Sequence, residues 1–336
     1  NFVLMIRLTI IGSGNVAQHL IKAFSASSLV EIVQVFSRKK DALIPLLDSD
    51  KIVTEFSALK EADLYIISVS DNAISEVSNQ LPFENIGLKF FLVLVCMVTA
   101  RSTAMAFNRY LDRHFDQLNP RTAIREIPAG IIKAEKALLF IMINAVLFII
   151  ATYFINPICF YLSPVALFVI LFYSYTKRFT ALCHMVLGLG LSLAPIGAYL
   201  AVTGSFAVLP VLFSCVVICW VSGFDIIYAL QDIDFDQSQS LYSIPSQWGL
   251  KQSLSISRIL HVLSASFVIA AYFVGGFHFL YLFGLLIFIG MLIYQQSIVK
   301  PHDLSKVNLA FMTANGIASI VFSVFVIGAM LIQMYL

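Results

Sequence analysis

The sequence predicts an all-α bundle of about eight membrane helices, preceded by a small, partial α/β segment. The chain is 60% hydrophobic and only 12% charged, with a mean hydropathy of +0.90, whereas a typical soluble domain has about 25% charged residues. The first 85 or so residues contain no apolar run of membrane-spanning length, and such runs recur from Gly87 onward. We therefore divide the chain into segments 1–86 and 87–336.

Strands and helices are predicted to alternate in the N-terminal segment, which indicates a parallel sheet covered by helices. The first apolar stretch leads directly into a glycine turn and lacks a small-residue cleavage site, so we interpret it as a buried strand and not as a signal peptide. The predicted elements are strands at Met5–Ile11, Val30–Phe36 and Leu64–Val69 and helices at Asn15–Ser25, Asp41–Leu47 and Ile74–Gln80.

A glycine motif lies between the first strand and the first helix. Gly12, Gly14 and Ala17 form the Gly-x-Gly-x-x-Ala spacing of a dinucleotide-binding turn. Arg38 follows the second strand, where a basic residue suits the 2′-phosphate of NADP. Residues 5–85 resemble the start of a Rossmann-like NADP oxidoreductase related to pyrroline-5-carboxylate reductases.

The resemblance covers only the first half of a doubly wound domain, because no second set of strands follows Leu64–Val69. Two readings remain open, an NADP-binding module and a folded remnant without cofactor. We favour the remnant, since half a sheet leaves the cofactor crevice with one wall.

Eight apolar runs follow, each about long enough to cross a hydrocarbon core of ~30 Å. The basic residues between them return to one side of the membrane as the helices alternate, which predicts that this side is cytoplasmic. We expect an integral protein of a bacterial inner membrane, with its active site facing the cytoplasm. The predicted spans are 88–111, 136–156, 160–176, 183–203, 207–230, 256–275, 277–298 and 308–334.

Two acid-rich clusters lie at the predicted cytoplasmic ends of these spans. At about 100° per residue, the spacing within each cluster allows its members to line one helix face. Converging carboxylates repel one another unless a hard cation binds them, and Mg²⁺ completes its shell with substrate phosphates and water. The alternative is a set of solvated acids that flank membrane helices. The candidate metal ligands are Asn108, Asp112 and Asp116 in the first cluster and Asp225, Asp232 and Asp236 in the second.

The clusters and their neighbours resemble the UbiA superfamily of intramembrane prenyltransferases over about 88–336. The first cluster and the following Asn-Pro-Arg-Thr and Arg-Glu-Ile-Pro-Ala-Gly strings resemble that family's first conserved loop. Tyr173 and Lys177 resemble its Tyr-x3-Lys motif, and the second cluster, followed by Ser243-Ile-Pro, resembles its second aspartate motif. Within the superfamily, the string from Phe224 to Asp232 is most similar to 4-hydroxybenzoate polyprenyltransferases and their relatives in menaquinone synthesis.

The resemblance implies Mg²⁺-dependent transfer of a polyprenyl group from a polyprenyl diphosphate to an aromatic acid, such as 4-hydroxybenzoate, in quinone synthesis. Lys177 and Arg121 would neutralise phosphate oxygens, while Arg178 would pair with the carboxylate of the acceptor. Site roles and interface contacts are equally open for Arg125 and His114. The resemblance also implies nine helices, of which the first and its basic residue are missing here. We therefore expect a fusion of two truncated genes, which could be inactive.

Other classes of function fit less well. The formal charge of +2 and the scattered basic residues argue against nucleic acid as a partner. Five cysteines lie in apolar runs without metal-ligand spacing, which indicates packing roles. A membrane-anchored NADP-binding oxidoreductase or sensor would not need costly acids at the membrane. An ion transporter predicts acids near the midplane, whereas these cluster at one interface.

Overall fold

The computed structural model describes residues 5–60, 62, 64–70, 73, 77 and 86–335. The chain separates into two compact units, Asn1–Asn85 and Ile86–Leu336. Each unit is described by itself.

The N-terminal unit contains a four-stranded parallel sheet of order β3-β2-β1-β4. Its core is formed by alternate strand residues and by the apolar face of α1, with Ala17 and Ile21 fully buried. This arrangement confirms the predicted alternation of strands with the first helix. The elements are β1 (Ile6–Ile11), α1 (Asn15–Ser25), β2 (Val30–Phe36), β3 (Ile52–Val53) and β4 (Leu64–Ile67).

The helix predicted at Asp41–Leu47 is wrong. Only a 3₁₀ turn at Lys40–Ala42 forms there, and it is followed by further turns. Pro45 explains the difference, because proline lacks an amide donor and disfavours helical geometry in the residue before it. The helix predicted at Ile74–Gln80 falls largely outside the described residues.

The second unit contains eight helices long and apolar enough to cross a membrane among the described residues, as predicted. It is an integral membrane domain. Its helices are α2 (Ile86–Leu118), α3 (Ala134–Ile155), α4 (Pro157–Thr176), α5 (Cys183–Thr203), α6 (Val208–Ala229), α7 (Ile233–Ser238), α8 (Ile244–Gly275), α9 (Leu280–Ile298) and α10 (Asn315–Tyr335), with a π-helical segment at Leu309–Ala314 before α10.

Two of these helices, α2 and α8, differ from the predicted spans, and together with α6, which ends within one residue of its predicted span, they shape the acidic end of the bundle. α2 continues seven residues beyond the predicted 88–111, to Leu118, so the whole first acid cluster lies on one helix. α6 stops at Ala229, and a 3₁₀ turn at Leu230–Asp232 separates it from α7. α8 begins at Ile244, well before the predicted 256, and is interrupted at Gly249, where φ is 74°. A positive φ favours glycine, which explains how the chain tolerates this break.

α6 and α8 pack closely enough to fix the position of the second acid cluster. The hydroxyl of Ser257 donates to the carbonyl of Gly223 over 2.7 Å. A Cβ atom at Gly223 would lie 2.3 Å from the ring of His261, so only glycine permits this approach. Small residues at contacts between membrane helices allow such close backbone packing.

Candidate active site

The first acid cluster lies on the last turns of α2. Asn108 Nδ2 donates to Asp112 Oδ2 over 3.1 Å and lies 3.4 Å from the hydroxyl of Ser174 on α4. Helical periodicity places these two residues on one face, because a four-residue step rotates the side chain by only about 40°. The sequence therefore predicted this local arrangement correctly.

Asp112 is almost fully buried and is held by two basic residues of α4's C-terminal end. Lys177 Nζ lies 2.8 Å from Asp112 Oδ2, and an Arg178 Nη2 atom lies 3.6 Å from Asp112 Oδ1. Asp112 Oδ1 is buried and has no hydrogen-bond partner within the described part of the chain. One oxygen of the carboxylate thus retains capacity for a further electrophilic partner.

Asp116 forms the second ion pair of this cluster. Arg125 Nη1 donates to both of its oxygens, over 2.8 and 2.9 Å. The carboxylate side chain is 8% exposed and the arginine 28%. Removing one partner of a buried ion pair costs about 3–5 kcal/mol, and the partial exposure of Arg125 places this pair below that range.

Arg121 connects the two clusters. Its Nε and Nη2 atoms donate to the two oxygens of Asp232, over 3.1 and 2.5 Å, while Nη1 donates to the hydroxyl of Tyr228 over 2.8 Å. Asn119 Nδ2 lies 3.4 Å from the same Asp232 carboxylate. Burial alone would lower the pKa of Arg121, but the pairing with Asp232 outweighs it and raises that pKa. The first conserved loop is thereby joined to the second acid cluster.

Asp225 has a different partner. His184, at the start of α5, places Nδ1 2.7 Å from Asp225 Oδ2. The amide of Ile244 donates to His184 Nε2 over 3.3 Å, so we assign the ring proton to Nδ1, where it donates to the carboxylate.

Asp236 is held by a hydroxyl group. Ser243 donates to Asp236 Oδ2 over 2.8 Å and also caps α8 by accepting from the amide of Ser246. The amide of Tyr242 donates to the carbonyl of Lys177 over 2.6 Å. This contact brings the segment before α8 next to the basic end of α4.

The metal-binding role of the predicted ligands stays a prediction, but the arrangement predicted for the second cluster is wrong. No group of three or more His, Cys, Asp or Glu residues among the described ones could hold a metal ion as arranged here, because the carboxylates are paired with basic residues or a hydroxyl. The second cluster, moreover, does not share one helix face. Its members lie on successive elements, with Asp225 on α6, Asp232 on the 3₁₀ turn and Asp236 on α7. The first cluster, Asn108, Asp112 and Asp116, does lie on one helix.

Sequence reasoning missed several residues that contact the acid clusters or lie on the same helix. Ser243 was recognised only as part of a string, and its helix-capping pattern could have identified it. His184 and Tyr228 have no sequence signal, because their partners come from tertiary contacts. Arg101 could have been noticed as a charge within an apolar span. It is exposed on α2, about 20° around the helix from Asn108 and about 10.5 Å along its axis.

The glycine turn of the N-terminal unit borders a cavity of about 400 Å³, lined among others by Gly12, Gly14, Ser37 and Arg38. Ala17 does not line this cavity, because it is fully buried against the sheet. Gly12 has a φ of 134°, and a Cβ there would lie 2.0 Å from the carbonyl oxygen of Ser68. Glycine is thus required for the close approach of this turn to the end of β4.

Comparisons with known proteins divide the chain in the same way. The model of the family described as NADP oxidoreductase coenzyme F420-dependent matches residues 7–88. The chain is 33% identical over 180 residues to a 4-hydroxybenzoate octaprenyltransferase of Tolumonas auensis, a match that covers 50% of this chain and 63% of that protein. A protein of the same description from Francisella tularensis subsp. novicida is 30% identical over 155 residues, or 46% of this chain and 55% of the relative. The chain thus spans less than two thirds of these relatives.

Solved structures match the membrane unit. A UbiA homolog from Aeropyrum pernix K1 superposes with a TM-score of 0.65 at 26% identity, covering 75% of this chain and 91% of that one. A UbiA homolog from Archaeoglobus fulgidus bound to DMAPP and Mg²⁺ has a TM-score of 0.50 at 17% identity, covering 70% and 88% of the two chains, and it supports the fold alone. The family model described as UbiA prenyltransferase family matches residues 78–333. The chain belongs to the UbiA prenyltransferase family.

Proposed function

We propose that the membrane unit transfers a polyprenyl group from a polyprenyl diphosphate to an aromatic acid such as 4-hydroxybenzoate, in a magnesium-dependent reaction of quinone synthesis. The main support is the contact of Arg121 with Asp232, because it brings the first conserved loop and the second acid cluster to one site. The relatives named 4-hydroxybenzoate octaprenyltransferase support the choice of substrates.

The donor atoms of the site fit magnesium. They are carboxylate and amide oxygens, which hard divalent cations prefer, and Asp112 Oδ1 is buried without a hydrogen-bond partner. We propose Asn108, Asp112, Asp116, Asp232 and Asp236 as the residues that hold the ion. When bound, magnesium supplies positive charge that stabilises the departing diphosphate. Asp225, which is paired with His184, is not one of the metal ligands in this proposal.

Lys177 and Arg121 would bind phosphate oxygens and thereby favour cleavage of the allylic C–O bond. The electron pair of that bond leaves with the diphosphate, and the aromatic ring forms the new C–C bond with the allylic carbon. The same ring carbon then loses its proton to the released diphosphate or to water, which restores the aromatic ring. The partly exposed side chains of both basic residues, at 31% and 35%, are consistent with access to a substrate.

The acceptor carboxylate has two candidate partners. Arg178 is already engaged, since its Nη2 donates to the carbonyl of Leu111 over 3.1 Å and its guanidinium lies 5.5 Å from the ring centres of both Phe115 and Tyr175. Arg101 is exposed, and no hydrogen bond or ion pair of the described residues engages it. Arg101 lies about two helical turns before Asn108 on α2. This distance leaves space for an aromatic ring between the metal site and the guanidinium. We therefore propose Arg101 as the carboxylate partner.

Membranes that contain the full chain test these proposals with 4-hydroxybenzoate, a polyprenyl diphosphate and Mg²⁺. Turnover that is undiminished in the presence of EDTA would exclude the metal role. Arg101→Gln should raise the Michaelis constant of the acceptor by roughly 10- to 150-fold, the equivalent of about 1.5–3 kcal/mol for a charged hydrogen bond, and leave that of the prenyl donor nearly unchanged. If Arg178→Gln has this selective effect instead, the carboxylate binds there.

The cavity of the N-terminal unit is consistent with the adenosine end of NADP, but we propose weak binding because the described residues of this unit supply strands for only the first half of a doubly wound sheet. Titration of the full chain with NADPH, followed by its fluorescence, tests this expectation, and a micromolar dissociation constant would contradict it.

For the membrane orientation we propose a bacterial inner membrane with the acid clusters on the cytoplasmic side. A cysteine introduced at Gln237 is labelled in intact cells and in inverted vesicles. The labelling shows on which side of the membrane this residue lies.

A further inference from the structure

Three of the acids in the candidate site already form ion pairs with basic residues. Asp112 pairs with Lys177 over 2.8 Å, and Asp116 pairs with Arg125 over 2.8 Å. Asp232 pairs with Arg121 over 2.5 Å. These three carboxylates are therefore neutralised by the two residues proposed to hold phosphate, Lys177 and Arg121, and by Arg125 in the same loop as Arg121.

The acidic side chain of each pair is buried or half-buried. The side chains of Asp112, Asp116 and Asp232 are 3%, 8% and 19% exposed, so losing the cation to bulk water costs stabilisation, most for Asp112 and least for Asp232. A diphosphate that arrives alone would have to take cations away from these carboxylates. A metal ion that binds alone would displace the basic side chains from the carboxylates. These displaced cations would then lie unpaired beside the positive charge of the metal. Either ligand by itself leaves unpaired charge in the site.

Arrival of both ligands avoids this penalty. The carboxylates can exchange their contacts with the basic side chains for contacts with the metal. At the same time the basic side chains can bind the phosphate oxygens, so every charge keeps a partner. We propose that the ion pairs of this site make the binding of the divalent cation and the diphosphate strongly cooperative. This inference rests on the proposed function for the identity of the two ligands, but it concerns binding and not prenyl transfer.

Asp236 is the exception among the proposed ligands. Its carboxylate accepts from the hydroxyl of Ser243 over 2.8 Å, and no ion pair of the described residues engages it. A neutral hydroxyl is released at a lower cost than a cation. Residual metal binding without diphosphate should therefore depend on Asp236.

The experiment measures both ligands separately and together on the full chain in detergent. Mn²⁺ is followed by electron paramagnetic resonance, and the second ligand is a prenyl thiodiphosphate, whose C–S bond resists cleavage. Protein-free samples measure the manganese–diphosphate complex in solution. We expect each ligand to increase the affinity of the other at least tenfold and by the same factor, because coupling is reciprocal and typically amounts to roughly 5–150-fold.

Two substitutions test whether the ion pairs cause this coupling. Arg121→Gln and Arg125→Gln release Asp232 and Asp116 from their cations, so Mn²⁺ alone should bind several-fold more tightly while the coupling factor falls. Arg109→Gln is the matched control, because Arg109 pairs with Glu126 over 2.6 Å and neither residue is among the proposed ligands, so both quantities should stay unchanged. Melting temperatures in detergent verify that the variants are folded.

A coupling factor near one in the unsubstituted chain would overturn the proposal. So would weaker binding of Mn²⁺ alone in both Arg121→Gln and Arg125→Gln, since the arginines would then merely orient the carboxylates. The proposed function and the present inference are refuted by different outcomes. A chain that binds the two ligands cooperatively but forms no prenylated product would refute the function, whereas transfer without cooperativity would refute the present inference.

Discussion

The two acid clusters perform similar roles in our proposal, but they are built differently. The first lies on the continuous helix α2, and its two carboxylates pair with the basic residues Lys177 and Arg125. The second is distributed over α6, a 3₁₀ turn and α7. Two of its carboxylates depend on uncharged partners, since we assign a neutral ring to His184 and Ser243 supplies a hydroxyl. A regular helix can thus present a cluster by periodicity alone, whereas an irregular segment needs neighbours that hold each side chain.

The largest expected effect is on the rate of prenyl transfer. It tests whether the two acid clusters contribute equally although they are built differently. Asp112→Asn and Asp232→Asn should each reduce prenyl transfer by roughly 10²–10³-fold, because each removes negative charge from the proposed metal site. Assays of membranes with equal amounts of inserted protein measure the effect. Glu126→Gln is the control, since Glu126 pairs with Arg109 in the same region. A tenfold difference between the two aspartate variants would show that one cluster dominates.

A smaller effect is expected where the second cluster depends on histidine. His184→Ala removes the hydrogen-bond donor to Asp225, and the free energy of unfolding should fall by about 1–3 kcal/mol because a partly buried carboxylate loses its partner. Unfolding in mixed detergent measures the change. Adding Asp225→Asn to this variant should recover part of the loss. If the double variant is less stable than the single one by the full effect of Asp225→Asn alone, the two residues are not coupled.

The smallest effect concerns the helix cap. Ser243→Ala removes the cap of α8 together with the hydrogen bond to Asp236, and we expect a loss of about 0.5–2 kcal/mol in stability. Ser243→Thr retains the hydroxyl and should retain most of the stability. Thermal unfolding in detergent compares the two variants. Equal melting temperatures for them would show that the cap contributes little.

Local patterns predicted most of the architecture. Apolar run length predicted eight membrane helices, and alternating short elements predicted the parallel sheet of the N-terminal unit. The face shared by Asn108 and Asp112 followed from a helical period. The prediction failed at Asp41–Leu47, where the local effect of Pro45 was overlooked.

The sequence by itself determined the membrane class, the first acid cluster and the glycine turn, because each depends on residues within a few turns of one another. The tertiary structure alone decided the partners of the carboxylates. Arg121 reaches Asp232 across 111 positions, and His184 reaches Asp225 across 41. Such contacts depend on how helices pack, which residue spacing along the chain does not encode. For the same reason only the structure showed that Asp112, Asp116 and Asp232 are neutralised by basic residues of the site itself.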